Sequence, residues 1–504
     1  MVSLTERTRQ GWLPLFVLAV GMSMIIIDAT IVNVAVPAIL ADLRLSATDV
    51  EWINSIYSLM FAALLIPLGR TGDVRGRRRM FVLGLVVFLA ASALAAASVS
   101  GPMLIGARVI QGVGAAMVVP MTLATINAVY TGSRRVIAFA VWGSVIGGMA
   151  AVGPLLGGWL VTDHGWRWAF WVNLPIGLLV LAGATRVPET RDPSAGGHDV
   201  PGVLLSTVGT SSLVFSLIES QRYGWGGSSP VPYAFALAVL ALTGLVLVER
   251  SRARRGRPVM LDLSLFSISS FRYGGAAATV VALGEFGMIL VLPLFLQTAI
   301  GFTAFQTGLI IASLAAGAFL SGGIVPRLAK LMPARRIVQL GLLCEAAGAA
   351  AIGLVVSPGL GPWTFVPWLA LYGLGVGFAS AQLTSVMLAQ VPSRQSGQAS
   401  GLQSTMRQVG AAIGVAALGG VLVTGLGGAM ERHLPDRPDL ARAVRDSAGA
   451  AIAGIREPAT RAAAVEASAE ATRRVSLVTG AVLLAGVGAA LLLPDTGGRR
   501  REEE

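Results

Sequence analysis

The stretch Gly69-Arg-Thr-Gly-Asp73-Val-Arg-Gly76-Arg77-Arg-Arg79 stands between two apolar runs, residues 50–69 and 80–98. Its five arginines and one aspartate, packed into eleven residues, are far too costly to sit in hydrocarbon. Each flanking run has about the twenty residues that a helix needs to cross a bilayer. The stretch therefore reads as a tight loop at a headgroup surface joining two spanning helices. Its glycines allow the turn, Asp73 can cap a helix start or pair with arginine, and Arg75 and Arg77–Arg79 face anionic lipid.

Working outward with the same ruler, the 504-residue chain yields fourteen candidate spans. They lie near residues 12–37, 50–69, 80–98, 102–127, 137–161, 168–186, 201–219, 232–249, 272–297, 307–326, 335–356, 363–389, 401–427 and 475–493. The first reads as a true span rather than a cleaved signal peptide, because no small-residue cleavage pattern follows it. Composition agrees: 54% of residues are hydrophobic and 13% charged, about half the charged share of soluble proteins. The 62 glycines suit helices that pack closely in lipid.

Several function classes fall away. Cys344 is the single cysteine, and His164, His198 and His433 are scattered, so neither a disulfide framework nor a catalytic metal is expected. The net charge of +12 does not point to nucleic acid, because the basic residues lie mainly in short segments between apolar runs. All of them except Lys330 are arginine, a bias that fits a GC-rich, bacterial genome. The sequence has no Gly-Lys-Ser/Thr phosphate-binding loop, which disfavours ATP hydrolysis. No clustered catalytic set marks a membrane enzyme, so a non-enzymatic transporter without cofactor is expected.

With the N-terminus inside, 26 of the 38 basic residues fall in cytoplasmic segments, Arg394 and Arg407 among them. Eleven fall outside, eight of these in residues 428–474, and Arg108 is left within a helix. The positive-inside rule then places both termini in the cytoplasm. Residues 428–474 form a long outer segment whose arginines are nearly balanced by acids; a partly folded cap is expected, with a plain disordered loop as the alternative.

The loop also has a degraded echo at Gly323-Ile-Val-Pro-Arg-Leu-Ala-Lys-Leu-Met-Pro-Ala-Arg-Arg336. Parallel six-helix repeats are one way transporters are built. The expected division is a six-helix bundle over 1–186, two extra transmembrane helices and a basic linker over 187–270, and a second bundle over 271–504 that carries the outer loop 428–474.

Four further stretches share a pattern with the loop. They are Asp28-Ala-Thr-Ile-Val-Asn33-Val-Ala-Val-Pro37, Arg108-Val-Ile-Gln111-Gly112-Val-Gly114, Gly153-Pro154-Leu-Leu-Gly157-Gly158 and Trp166-Arg-Trp-Ala-Phe-Trp-Val-Asn173-Leu-Pro175. In this order, with the loop, they resemble the major facilitator superfamily, and within it the fourteen-helix drug:proton antiporter branch. Met149 departs from the pattern, standing where the fifth-helix signature usually has glycine. The resemblance implies an all-α membrane fold of two six-helix bundles plus two extra helices. It assigns a proton or substrate site to Asp28 and proton coupling to Arg108. It gives Gly69, Asp73, Gly76 and Arg77 the role of a gate latch on the inner side. The small faces of Gly153, Gly157 and Gly158, with Pro154 kinking the helix, are expected to form a close, bendable interface between the two halves.

The residues themselves support part of this. Asp28 is about 24 Å up the first span and Arg108 about 9 Å down the fourth, so both reach a similar depth and can pair. Separating such a pair would change the cost of the charged acid and make it a proton-binding switch, whereas a static structural pair is the plainer alternative. Glu285 and Glu345 lie near mid-membrane, where a carboxylate can attract a cation or take a second proton. Asn33 and Gln111, polar members of the signatures, join them as candidate substrate contacts. Met117 and Phe286 are candidates for an adaptable apolar pocket. The expectation is a proton-coupled antiporter, functional as a monomer in the cell membrane, that exports lipophilic drugs or toxic compounds, cations among the candidates. The alternative is a dedicated exporter of one endogenous metabolite or antibiotic.

Overall fold

A computed structural model describes residues 11–43, 47–191, 199–447 and 449–494. Among these, fourteen helices have eleven or more residues. They are α1 (Leu13–Leu43), α2 (Ala47–Arg75), α3 (Arg77–Ala96), α4 (Gly101–Val129), α5 (Gly132–His164), α6 (Asn173–Gly183), α7 (Val200–Tyr223), α8 (Pro230–Arg254), α9 (Ser269–Leu294), α10 (Ala304–Leu331), α11 (Ala334–Val355), α12 (Val366–Met387), α13 (Ser396–His433) and α14 (Pro458–Ala490). Thirteen segments are long and apolar enough to cross a membrane, one of them, Trp168–Arg186, joining a short helix to α6.

The sequence explains the elements locally. Apolar residues run on every side of most helices, so each is stable only when packed in a bundle or against lipid. Pro67, Pro120, Pro154, Pro293 and Pro326 lie inside helices, which bundled membrane helices tolerate because neighbours take up the freed carbonyls. Several starts are capped: Asp199 accepts from Gly202 N–H, Ser229 from Val231 N–H, and Thr303 with Gln306 forms a reciprocal capping box.

The packing repeats with an offset of eight helices. In the first group α3 packs on α4, α2 on α4, α1 on α5 and α1 on α6; in the second, α11 packs on α12, α10 on α12, α9 on α13 and α9 on α14. The two groups meet along α2 and α4 with α13 and along α5 with α10 and α12. The helices α7 and α8 pack on each other, and α7 also lies against α2 and α13.

Residues 428–474 are largely helical rather than a plain loop. Helix α13 continues to His433, a nine-residue helix spans Pro438–Asp446, and α14 begins at Pro458, well before the apolar run at 475. At 1.5 Å per residue α13 is about 57 Å long and α14 about 50 Å, so both outreach a 30 Å hydrocarbon layer. Their projecting ends have a core of Met430, Ala441, Val444, Ile452 and Ala464. Arg432 with Glu470 (2.5 Å) and Arg437 with Glu457 (2.7 Å) tie them on the surface. Alternating small and charged residues hid these turns from a hydrophobicity ruler.

Candidate functional site

In the first group, five helices converge on Asp28, which is fully buried. Its Oδ2 accepts from Arg108 on α4 at 2.7 Å, and its Oδ1 accepts from Gln111 at 3.0 Å and from Asn173 on α6 at 2.8 Å. Ser92 Oγ on α3 accepts from both amides, at 2.8 Å from Gln111 and 3.2 Å from Asn173. Arg108 also donates to Gln111 Oε1 at 2.9 Å and to the Ile53 carbonyl at 3.2 Å, and it lies 4.2 Å from the centre of the Tyr57 ring. The charges cancel and both carboxylate oxygens are met, so a proton arriving on Asp28 has to displace a donor already in place. Sequence reasoning paired Asp28 with Arg108; Gln111, expected as a substrate contact, is instead bonded to both of them. The same reasoning passed over Ser92 and Tyr57, which no motif marks, and Asn173, which stood in a quoted motif without a partner.

At the basic end, the loop motif meets the other group. Asp73 Oδ1 accepts from Arg77 Nε (3.0 Å) and from Gly397 N–H (2.8 Å), and Oδ2 accepts from Gln398 N–H (2.7 Å). No side chain of α13 caps its own start; Asp73 does so from α2, and the helix dipole favours the negative charge there. Arg77 reaches over to the Ser393 carbonyl at 2.7 Å. Gly69 lies directly against Gly397 and Gly401. Gly76 takes φ 111°, a left-handed region that only glycine enters freely, and so lets α3 start one residue after α2 ends. The linker before α9 is tied to the same place: Gln398 Nε2 donates to the Met260 carbonyl, and Gln395 donates to Asp262 at 2.6 Å.

In the second group, Glu285 on α9 is 4% exposed. Ser380 donates to it at 2.6 Å and Arg407 at 2.9 Å, and Arg407 also donates to Ser380 Oγ at 3.1 Å. Arg407 is no loop residue, as the count of cytoplasmic arginines had it. It lies inside α13 and neutralises the carboxylate that was expected to draw a cation. Glu345 on α11 is fully buried, and neither of its oxygens has a hydrogen-bond partner among the described residues.

The remaining candidates are spread. Met117 is buried in the first group's core against Gly84, and Phe286 is 41% exposed. The Asn33 side chain lies outside the described residues. A Cβ on Gly153 would overlap Thr30 Oγ1, and one on Gly157 would press on Ile31, so both serve the packing of α5 on α1. Pro154 lies within α5 beside them, and Gly158 has open space around it. Contact with the second group comes instead at Gly143 against Ala381 and Gly148 against Phe319. Helix α13 divides likewise: Gly397 and Gly401 face α2, whereas Gly410 and Gly414 face α9. No group of His, Cys, Asp and Glu that could hold a metal occurs among the described residues.

Residues 18–415 match the sequence model of the Major Facilitator Superfamily. The chain belongs to that superfamily. Relatives of this facilitator include the probable actinorhodin transporter of Streptomyces coelicolor, 36% identical over 87% of this chain and 77% of the relative. The multidrug efflux pump LfrA of Mycolicibacterium smegmatis is 34% identical over 83% of this chain and 82% of the pump. The puromycin resistance protein pur8 of Streptomyces alboniger is 35% identical, over 81% of each chain. The fold of this facilitator is shared with the human organic anion transporter MFSD10, at a TM-score of 0.63 and 15% identity, over 95% of this chain and 99% of that one.

Proposed function

We propose that this facilitator is a proton-coupled antiporter that exports lipophilic drugs or toxic compounds from the cytoplasm. The observation that carries the reading is the buried cluster at Asp28. Protonation of Asp28 releases Arg108, deprotonation recaptures it, and the exchange biases helices α1, α4 and α6 against one another. The multidrug and antibiotic-resistance relatives support export as the direction. The proton gradient takes the place of a cofactor, and the partners are the substrate, protons and lipid.

The finer architecture follows the same reading. Helix α5 supplies the fourteenth span, since its stretch 136–162 contains no charged side chain. Residues 1–186 and 271–504 are the two bundles that rock against each other, and 187–270 hold the extra pair and its linker. Both termini lie in the cytoplasm of a bacterial cell, the chain works as a monomer, and the Asp73 clamp is the closed inner gate. Glu285 is the candidate substrate contact of the second half, and a cation reaching it exchanges with Arg407.

A dedicated exporter of one metabolite is the second reading, favoured by relatives named for single antibiotics, actinorhodin and tetracenomycin C. Cells expressing the chain are loaded with unrelated dyes and antibiotics, and efflux is followed with and without a protonophore. Broad efflux abolished by the protonophore is expected; efflux of a single compound class selects the second reading. Undiminished efflux after the gradient collapses overturns proton coupling.

A further inference from the structure

Glu345 is used by neither the Asp28 cluster nor the Asp73 clamp. Its helix, α11, packs chiefly on α12 and α14, away from the main contacts between the two groups. Its side chain sits behind α12, where Gly375 leaves room for it: a Cβ on Gly375 would come within 2.7 Å of Glu345 Cγ. Tyr372, one turn earlier on α12, is equally buried, and its hydroxyl has no partner among the described residues. The charged groups that act on Glu345 are Glu285 from α9 and Arg407 from α13. Cys344 is its neighbour on α11. On its other side α14 brings Gly480 against the backbone at Ala346, and Arg473 of α14 is engaged with the Val356 carbonyl at the end of α11.

The charge balance decides what Glu345 holds. One arginine stands among two carboxyl groups, and its guanidinium is already hydrogen-bonded to Glu285 and Ser380. A second, unpaired carboxylate at this depth would be several kcal/mol too costly to keep. We infer that Glu345 is a second proton-binding site, carrying a proton in this state and giving it up only when Arg407 leaves Glu285 and turns its charge toward Glu345. The step is a proton transfer alone: a cationic substrate takes the place of Arg407 at Glu285, the Glu345 O–H bond breaks, the proton passes to water admitted with the substrate, and the guanidinium balances the carboxylate left behind. The site binds a proton rather than a substrate because a fully buried side chain leaves no room for a drug-sized molecule.

This inference stands beside proton-coupled export but is read by an experiment that does not need transport. Full-length protein in lipid nanodiscs is titrated while the infrared C=O band of protonated carboxyls, sensitive to deuterium, is recorded. The expected result is a band at neutral pH that disappears in Glu345→Gln and persists in Asp28→Asn. A band unchanged in Glu345→Gln, with the variant eluting as the wild type does on gel filtration, overturns the inference. In proteoliposomes, the number of protons exchanged per substrate, taken from the gradient that just halts export, is expected to fall by one in Glu345→Gln. An unchanged ratio overturns the proton role even where the band is lost. If wild-type transport ignores the proton gradient, antiport fails while the infrared result still judges Glu345.

Discussion

The contact of Gly69 with the start of α13 allows a prediction whose size can be worked out. A Cβ on Gly69 would stand 2.6 Å from the Gly397 carbonyl oxygen, against about 3.4 Å for ordinary contact. Both partners are backbone, so no rotamer relieves the clash, and α2 must retreat from α13 by about 0.8 Å at that point. Asp73 lies one turn further along α2, and its bonds to Gly397 N–H and Gln398 N–H, 2.8 and 2.7 Å long, would stretch to about 3.5 Å and cease to be hydrogen bonds. Two buried bonds to a charged acceptor, partly replaced by water that enters as the helices part, amount to about 3 kcal/mol. That shifts the ratio of closed to open molecules by roughly a hundredfold. The assay is a spin-label distance between Arg79→Cys and Arg394→Cys on a Cys344→Ser background, both label sites being exposed. Gly69→Ala is expected to add a longer distance population, and Asp73→Asn, which weakens the cap without touching the glycine, to add the same one. If Gly69→Ala leaves the distance distribution as in the wild type, the clamp does not hold the two groups together as argued.

Four further outcomes follow from the geometry. Asp28→Asn leaves the Arg108 guanidinium buried without its counter-ion, a loss of about 3 kcal/mol or more; drug-resistance assays should show export lost, and thermal unfolding a lowered midpoint. Gly153→Val should disrupt packing against Thr30, with partial recovery of expression and melting temperature in the double variant with Thr30→Ala, since Thr30 Oγ1 is the nearest obstacle. Gln398→Ala cuts the tie between α13 and the Met260 carbonyl while leaving its backbone N–H on Asp73; limited proteolysis of the linker at 255–262 should become faster with the spin-label distance unchanged. The Trp166 indole N–H, and then Arg167, hold the Asp42 carboxyl below the usual carboxylate range. A depressed folded pKa gives stability that is present above the unfolded value and lost as pH falls through the folded one. Acid unfolding should therefore begin at higher pH in Trp166→Phe than in the wild type.

What could be read in the chain depended on the range of the interaction that fixed it. Thirteen of the fourteen span positions, and their order, came through because hydrocarbon thickness acts on each helix separately. The pairing of Asp28 with Arg108 came through because two helix-depth estimates sufficed to match them. Asn173 could not be placed, since its approach to Asp28 depends on how α6 turns against α1, which no periodicity encodes. Arg407 was lost for a related reason: an arginine near the edge of an apolar run counts equally well as a loop charge or a buried ion, and only the arrival of Glu285 from another helix decides. The early start of α14 escaped because its first turns are held by projecting helices and ion pairs rather than by a continuous apolar run. The glycines of α5 were legible as a packing surface, but which residues they face follows from helix rotation, and that divides them between α1 and the second group.

The eight-helix offset shows where the two groups have diverged. Asp28 on α1 and Glu285 on α9 stand on corresponding helices, each mid-helix and buried. Their arginines do not correspond, for Arg108 comes from α4 whereas Arg407 comes from α13, the counterpart of α5. The difference matters because α13 is also the helix whose first turn Asp73 caps. Arg407 is ten residues beyond Gly397, about 15 Å along one continuous helix. A helix held by its own backbone bonds moves as a rod, so release of its capped end and displacement of Arg407 belong to a single motion. In the first group α4 is linked to the same end, since Asn127 near its last turn donates to Ser396 Oγ at the start of α13 at 3.0 Å, and Arg108 donates to the Ile53 carbonyl of α2, the helix that carries Asp73. Both buried charge pairs are thereby connected, through α4 and through α13, to the contacts at the basic end.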